Sequence, residues 1–236
     1  MAAVSLLSTR GLTRRFGGLT AVDGVDLDLS NGEIRALIGP NGAGKTTLVG
    51  LICGRIAPSA GTIRFEGRDI TALPAHARVG LGIAYTFQIT AIYARLPVFD
   101  NVALAVQRRG VADLAAETLA ALDRVGLADR AGQVAGTLAY GHQRLLEVAM
   151  GLALAPKLLI LDEPTQGLAD TEIETFKRLV REVARTATVL LIEHNMELVM
   201  DLADRITVLN FGEVLAEGTP AEIRADWAVQ AAYLGA

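Results

Sequence analysis

Residues 39–46 read Gly39-Pro40-Asn41-Gly42-Ala43-Gly44-Lys45-Thr46, which is a complete GxxxxGK(S/T) phosphate-binding loop. The mostly apolar run 33–38 before it is typical of a buried strand, and residues 47–52 after it can continue as a helix. In this context the glycines let backbone N–H groups turn toward a polyphosphate, and the helix start adds a positive dipole end. The sequence therefore predicts a nucleoside triphosphate site, and the less favoured alternative is a glycine-rich surface turn.

Two side chains of this loop have predicted roles. Lys45 places a compact cation near the β- and γ-phosphates, and the Thr46 hydroxyl can ligate Mg²⁺. The candidate nucleotide-binding residues of this segment are all eight residues of the loop and the adjacent Thr47.

The composition favours a soluble enzyme domain. The 22 basic and 26 acidic residues give a net charge of −4, which argues against dependence on nucleic acid, because nucleic acids are bound largely through Lys and Arg. Although 51% of the residues are apolar, none of the apolar runs reaches the roughly 18 residues of a membrane span. The N-terminus lacks the pattern of a signal peptide. The single cysteine, Cys53, is expected in the core, and the expected location is the cytosol.

The pattern of apolar residues changes along the chain and indicates an α/β fold. Strands are predicted at 25–29, 62–65, 82–87, 158–161 and 189–192, and helical texture extends over 99–155, with one helix at 111–125, and over 170–185. Continuous apolar runs such as 158–161 are typical of parallel strands that are covered on both faces. The alternation predicts a parallel sheet wrapped by helices, with a helical subdomain inserted near 88–155.

Adjacent carboxylates, Asp162 and Glu163, follow the apolar run 158–161. The carboxyl end of a central strand is where α/β proteins bind ligands. There Asp162 would hold the Mg²⁺ shell, and Glu163 would polarise the attacking water as general base. The alternative is a solvated strand end followed by a helix cap.

Two further polar residues end predicted strands. His194 follows the run 189–192 and can donate to a γ-phosphate oxygen. The alternative is that His194 is a polar loop residue without a functional role. Gln88 ends the strand at 82–87, and its amide can reach Mg²⁺ or the attacking water. The candidate catalytic residues are Glu163, His194 and Gln88, and the candidate metal ligands are Thr46, Gln88 and Asp162.

Over essentially its full length the chain resembles the ATP-binding subunit of an ABC transporter. The matching elements, in the family's order, are the phosphate loop 39–46, Gln88 of the Q-loop, the signature segment 138–143, the strand 158–163, the D-loop 167–170 and His194 of the switch region. Phe16 lies where the family stacks an aromatic ring on adenine, and Val22 is a further candidate nucleotide contact. Within the family, segments 138–143, 191–196 and 217–235 are most similar to ATPases of importers for branched-chain amino acids, urea and short amides.

The resemblance implies a P-loop ABC-type ATPase core with an antiparallel β subdomain and an inserted α-helical subdomain. Residues 1–236 would be one ABC ATPase domain, with a nucleotide-binding core of 1–87 and 156–236 and a helical subdomain of 88–155. ATP and Mg²⁺ are the implied ligands. The implied position is the cytoplasmic face of the inner or plasma membrane, reached through the permease.

The signature segment departs from the family's usual Leu-Ser-Gly-Gly-Gln. Ala139 lacks the serine hydroxyl, Tyr140 replaces the first glycine, and His142 replaces the glutamine, whereas Gly141 is retained. The resemblance implies that Ala139, Gly141 and, in the D-loop, Asp170 contribute to nucleotide binding, the signature segment by closing on ATP held by a second subunit. An ordinary helix start is the alternative for this segment.

The implied partners are membrane-spanning permease subunits, a second ATP-binding subunit that is identical or related, and indirectly a solute-binding protein, with no nucleic acid. The expected function is to energise an importer of branched-chain amino acids or related amides or urea. The alternatives are an ABC-type ATPase for lipid or lipopolysaccharide export, a soluble ABC ATPase of DNA repair or translation, and a small-molecule P-loop kinase.

Overall fold

The computed structural model describes residues 5–86 and 91–234. The strands are β1 (Ser5–Phe16), β2 (Leu19–Ser30), β3 (Ile34–Ile38), β4 (Ala60–Phe65), β5 (Arg68–Asp69), β6 (Ile83–Tyr85), β7 (Leu158–Asp162), β8 (Thr188–Ile192), β9 (Arg205–Asn210) and β10 (Glu213–Gly218). The helices are α1 (Lys45–Ile52), α2 (Ala75–Leu81), α3 (Val98–Gln107), α4 (Leu114–Arg124), α5 (Tyr140–Ala153), α6 (Asp170–Val183), α7 (Met196–Leu202), α8 (Pro220–Ala225) and α9 (Trp227–Leu234).

The strands form two sheets, one largely parallel and one antiparallel. The larger sheet has the order β10-β9-β3-β8-β7-β6, and all of its pairs are parallel except β10 with β9. The smaller sheet has the order β2-β1-β4-β5 and is antiparallel throughout. The predicted parallel sheet and the antiparallel β subdomain are both confirmed.

The antiparallel edge of the larger sheet was not predicted from the apolar pattern. Strands β9 and β10 are joined by Phe211 and Gly212, and both have positive φ angles, 47° and 85°. Two successive residues of positive φ make the tight turn that matches the twist of a hairpin. This turn folds β10 back along β9 instead of letting it continue through a crossover.

Helices α3, α4 and α5 pack against one another and are inserted between β6 and β7. The helix predicted at 111–125 is α4, which begins later because the Asp113 side chain caps it by accepting from the Ala116 N–H. The strand predicted at 82–87 is the shorter β6, and residues 87–90, with Gln88, lie outside the described residues.

The central strands β3, β7 and β8 are buried along their whole length. Leu158 and Ile160 pack into the cluster that contains α1 and the antiparallel sheet, whereas Leu159 and Leu161 pack into the cluster of α5 and α6. Covering on both faces explains the continuous apolar runs. Because parallel strands end at one edge, the residues after β3, β7 and β8 are brought together there.

Two expectations about apolar residues are consistent with the fold. Cys53 is buried in the core, and burial raises the pKa of its thiol to about 12. Among the described residues we find no helix with the length and apolarity that a membrane crossing needs.

Candidate nucleotide site

The phosphate loop joins β3 to α1, and its backbone needs glycine at the last turn before the helix. Gly44 has φ +100°, and a Cβ atom there would lie 2.4 Å from the Ala21 carbonyl oxygen. A residue with a side chain would therefore clash with β2 and adopt a strained backbone. The loop is thus fixed against β2 at the point where α1 starts.

Lys45 is the first residue of α1, and its ammonium group folds back over the loop. Its Nζ donates to the carbonyl oxygens of Gly39, at 2.6 Å, and Pro40, at 3.1 Å. Burial lowers the pKa of Lys45, and the nearby carboxylates of Glu163 and Asp162 oppose this effect. A buried cation next to the loop provides the charge that a phosphate group needs.

The loop faces a cavity of about 410 Å³ at the carboxyl edge of the larger sheet. Its lining residues are Phe16, Leu19, Ala21, Asn41, Gly42, Ala43, Gly44, Lys45, Thr46, Thr47, Asp162, Glu163, Ile192 and His194. The structure therefore brings the phosphate loop, both carboxylates, His194 and Phe16 around one space. Gly39 and Pro40 do not line it, and their carbonyl groups instead hold the Lys45 side chain.

Val22, a further candidate nucleotide contact, lies behind the cavity wall. Its side chain is fully buried in the core cluster of β2 and does not line the cavity. Leu19 and Ala21 occupy the cavity wall instead. The reason is the alternation of the strand, which directs Val22 inward.

Asp162 ends β7 inside the cavity and is itself almost inaccessible to solvent. The Tyr85 hydroxyl donates to Asp162 Oδ2 at 2.9 Å, and the Asp162 N–H donates to Thr86 Oγ1 at 3.2 Å. Burial raises the pKa of Asp162, and the Tyr85 hydrogen bond opposes that effect. A nearby cation would favour the ionised carboxylate.

Glu163 follows with its backbone in the left-handed region, at φ +49°. Such a conformation costs about 1–3 kcal/mol for a residue with a side chain and clusters at functional sites. The Glu163 N–H donates to the Ile192 carbonyl oxygen at 2.9 Å, which fixes this turn to the end of β8. The carboxylate is thereby aimed across the cavity edge, where His194 Nε2 lies 2.7 Å from Glu163 Oε1.

A sequence model of the ABC transporter family matches residues 22–166, more than half of the chain. This chain belongs to the ABC transporter family. A second model, for the branched-chain amino acid ATP-binding cassette transporter, matches residues 213–236. The chain is accordingly an ABC-type ATPase, and the phosphate loop, Asp162 and Glu163 line one cavity at the carboxyl edge of its larger sheet.

Individual relatives cover nearly the whole ABC ATPase chain. The high-affinity branched-chain amino acid transport ATP-binding protein BraF of Pseudomonas aeruginosa is 40% identical, over 98% of this chain and 98% of BraF. The lipopolysaccharide export system ATP-binding protein LptB of Escherichia coli is 35% identical with the same coverage of both. The crystal structure of the ADP conformation of MJ1267, an ATP-binding cassette of an ABC transporter, has a TM-score of 0.88 at 28% identity and covers 98% of this chain and 99% of that one.

The signature segment of this ABC ATPase lies apart from its own phosphate loop. Ala139 is the N-cap of α5, and Gly141 lies in its first turn, packed against the D-loop. Asp170 is the first residue of α6. In the described part of the chain, none of these three residues lines the phosphate-loop cavity.

Two buried residues and the partly buried Tyr85, which the sequence reasoning missed, hold the ends of β7 and β8. Arg144 of α5 donates to the carbonyl oxygens of Asp162 and, at 2.9 Å, Glu163. Glu193 accepts from the Thr165 hydroxyl at 2.6 Å and from the His194 N–H at 3.1 Å, which ties the loops after β7 and β8 together. The third residue is Tyr85, already described. The available signal was a pair of opposite charges, Arg144 and Glu147, three residues apart on the mostly apolar buried face of α5.

Phe16 is half exposed, and the Arg14 guanidinium lies 4.4 Å from its ring centroid. One face of the ring is thus covered by a cation, while the ring also lines the cavity. This arrangement is suited to stacking of a flat base.

Phe16→Ala is expected to weaken ATP binding by about 1–3 kcal/mol, because stacking of a base on an aromatic ring contributes that amount elsewhere. Titration of a fluorescent ATP analogue measures the change, and the matched control is Trp227→Ala, an exposed aromatic outside the cavity. Equal affinities for Phe16→Ala and the unchanged chain would place the adenine platform elsewhere.

Proposed function

We propose that this ABC ATPase energises an importer for branched-chain amino acids or closely related amides or urea. The observation that supports this class of importer most is the match of residues 213–236 to the model of the branched-chain amino acid cassette. The ATPase machinery is divided: one cavity gathers the phosphate loop, Asp162, Glu163 and His194, whereas the signature helix tip lies outside it. A complete site then needs the signature segment of another chain.

The proposed chemistry is in-line attack of water on the γ-phosphate. Glu163 accepts the proton of that water, and His194, hydrogen-bonded to Glu163, holds the carboxylate and reports the γ-phosphate. Lys45 and the loop N–H groups stabilise the phosphate charge. Phosphoryl transfer requires mainly positioning and electrostatic stabilisation, and this set supplies both.

The donor set of the cavity fits Mg²⁺. The Thr46 hydroxyl and the Asp162 carboxylate line the same space and are oxygen ligands, which Mg²⁺ prefers in combination with phosphate oxygens and water. Gln88 is a third proposed ligand and lies outside the described residues. When bound, the ion would neutralise charge on the β- and γ-phosphates.

A second ATP-binding subunit is proposed to close the site. The first turn of α5 would present Gly141 and backbone N–H groups, beside Ala139, to the γ-phosphate of the opposing copy, and Asp170 would approach the same interface. A helix N-terminus attracts a phosphate group even without the serine hydroxyl that Ala139 lacks. Hydrolysis removes the charge of the γ-phosphate that bridges the two copies. The copies then separate, and this movement couples hydrolysis to a conformational change.

A small apolar surface on the helical insertion supports docking of a permease. Tyr93, Leu96 and Val134 are exposed by 57%, 36% and 44% in the isolated chain. They lie together because the Leu96 N–H donates to Tyr93 O, and Pro97 pairs with Val134. Along the chain Tyr93 follows Gln88 by five residues, so a short segment would connect a γ-phosphate signal to a membrane partner. The helical subdomain is proposed to span 88–155, with the rest of 1–236 as the nucleotide-binding core.

Leu96→Asp is expected to reduce permease copurification from membranes at least tenfold, because a charge in an apolar contact costs several kcal/mol. The basal ATPase rate of the isolated chain should stay unchanged. The matched control is Leu104→Asp, an exposed leucine on α3. Normal copurification of Leu96→Asp would remove this surface from the proposed interface.

The proposed substrate class rests on the C-terminal match to the branched-chain amino acid cassette and on BraF. In such an assembly the chain would sit at the cytoplasmic face of the membrane through its permease, and a solute-binding protein would deliver the solute. Nucleic acid has no part in it. The test is uptake of radiolabelled leucine by vesicles that contain this chain, its copurifying membrane proteins and the solute-binding protein.

Lipopolysaccharide export is the second candidate, because LptB is 35% identical over the same length. The vesicle experiment separates the two, since ATP-dependent release of lipopolysaccharide without leucine uptake would favour export. Leucine uptake that disappears with Glu163→Gln would support import.

A further inference from the structure

The signature helix α5 and the D-loop before α6 approach each other very closely. A Cβ atom at Gly141 would lie 2.6 Å from the Gly167 carbonyl oxygen, so only glycine fits this contact. The neighbouring Tyr140 hydroxyl donates to Gln166 Oε1 at 3.1 Å. The two elements that the proposed function sends to a second copy are therefore already in contact.

A second connection in the same turn of α5 involves His142, the residue that replaces the family's glutamine. His142 Nε2 lies 2.9 Å from Glu172 Oε1. Because a carboxylate only accepts, Nε2 carries the hydrogen. The other oxygen of Glu172 accepts from the Ala169 N–H at 2.8 Å, which is the N-cap of α6. One carboxylate thus joins the cap of α6 to the first turn of α5.

The surroundings leave Glu172 as the partner of the imidazole. His142 lines a cleft of about 270 Å³ whose other charged members are Arg124 from α4 and Glu172 from α6. Arg124 is paired with Glu182 at 3.1 Å. His142 Nδ1 is buried and has no hydrogen-bond partner among the described residues. The ring is therefore held from one side only, through Nε2.

The pair contributes little to global stability, because both side chains are partly exposed, by 23% and 33%. Its main effect is on the position of the first turn of α5 relative to α6. Without it, the first turn of α5 keeps the Tyr140 and Gly141 contacts to the D-loop but loses the His142 hydrogen bond to Glu172 of α6.

We propose that His142 is a positioning residue that, through Glu172, locks the signature tip and the D-loop into one unit. This unit then approaches the ATP of a second copy as a rigid body. Closure of the site therefore does not cost the conformational entropy of ordering the signature tip against the D-loop. The inference rests on the proposed function, in which the signature segment acts on another chain.

His142→Ala is expected to lower kcat five- to tenfold and to weaken ATP-driven dimerisation of the Glu163→Gln background by a similar factor. The affinity of the isolated chain for ATP should change less than twofold, because neither His142 nor Glu172 lines the phosphate-loop cavity. Loss of a side chain needed only for folding would not lower kcat and dimerisation while leaving ATP affinity unchanged. The rate of hydrolysis, size-exclusion chromatography and thermal melting measure the three properties.

Two further variants make the test specific. Glu172→Ala removes the carboxylate that accepts from His142 and from the Ala169 N–H. This variant should lose at least as much kcat as His142→Ala, and the double variant should be no worse than Glu172→Ala alone. His142→Gln, which restores a donor, should recover at least half of kcat.

Three outcomes would overturn the inference. Unchanged turnover in His142→Ala, or additive losses in the double variant, would do so while leaving the proposed function intact. If Glu163→Gln alone stays monomeric with ATP beside its natural partners, the proposed function fails, and this inference fails with it.

Discussion

Replacing Glu163 with glutamine is expected to leave ATP binding intact and to lower the hydrolysis rate by about 10²–10⁴-fold, the usual contribution of a general base. The carboxylate lines the cavity and accepts from His194 at 2.7 Å. A glutamine of the same shape can keep a contact with His194 but cannot take a proton from water. The variant should therefore bind ATP and stop before hydrolysis.

An arrested ATP complex should accumulate as a dimer, because in the proposed function ATP bridges two copies until its γ-phosphate is lost. Size-exclusion chromatography with ATP and with ADP measures this, and only ATP should shift the peak. The matched control is Glu117→Gln, a glutamate of α4 that pairs with Arg109 away from the cavity. Turnover at the parent rate in Glu163→Gln would mean that another group is the base.

The backbone conformation of Glu163 should be the same in the glutamine variant. Its left-handed conformation is held by the Arg144 guanidinium on the Glu163 carbonyl oxygen and by the bond to Ile192. Strain of this kind persists where surrounding contacts over-determine it. Glu163→Gln preserves all of these backbone contacts, so a loss of activity in this variant reports chemistry and not a displaced loop.

Local patterns predicted the elements that reach the site. The loop 39–46 and the strand ends at Asp162 and His194 were identifiable because strand periodicity and motif spacing depend on neighbouring residues. The parallel order of β3, β7 and β8 then brought these ends to one edge. This part of the site needed no information about long-range packing.

The direction of Val22 could not be predicted in the same way. Strand β2 pairs with β1 through several register shifts, among them one between Leu12 and Arg14. Each shift of one residue exchanges the two faces of a strand. Between the pairs Arg14↔Val22 and Arg15↔Thr20, Ala21 is an extra residue of β2, so which of Ala21 and Val22 faces the cavity is decided by how β2 pairs with β1.

Arg144 and Glu193 were missed for a related reason. Arg144 lies on a helix, and its acceptors are carbonyl groups at the end of β7, 18 and 19 residues further along. Glu193 was visible as a neighbour of His194, but its partner Thr165 is 28 residues away. Backbone carbonyls carry no sequence signal, so their recognition by a buried charge appears only once the helices are docked.

Replacing Lys45 should nearly abolish nucleotide binding. The ammonium group is buried at the start of α1, donates to the loop carbonyl of Gly39, and is influenced by the carboxylates of Glu163 and Asp162. Removing one partner of a buried charge pair costs about 2–5 kcal/mol, which corresponds to a fall in affinity of about 30- to 5,000-fold. Titration of a fluorescent ATP analogue into Lys45→Ala measures the loss.

A second variant distinguishes loss of the Lys45 charge from disruption of the phosphate loop. Lys45→Met keeps the aliphatic stem but cannot donate to Gly39 and Pro40, so equal losses in the Met and Ala variants assign the effect to the ammonium group. Lys157→Ala is the matched control, because Lys157 is an exposed lysine paired with Glu66 outside the cavity. Thermal melting of each variant checks the fold. Unchanged ATP affinity in a folded Lys45→Met chain would contradict the phosphate-loop assignment, since no other lysine lines the cavity within residues 5–86 and 91–234.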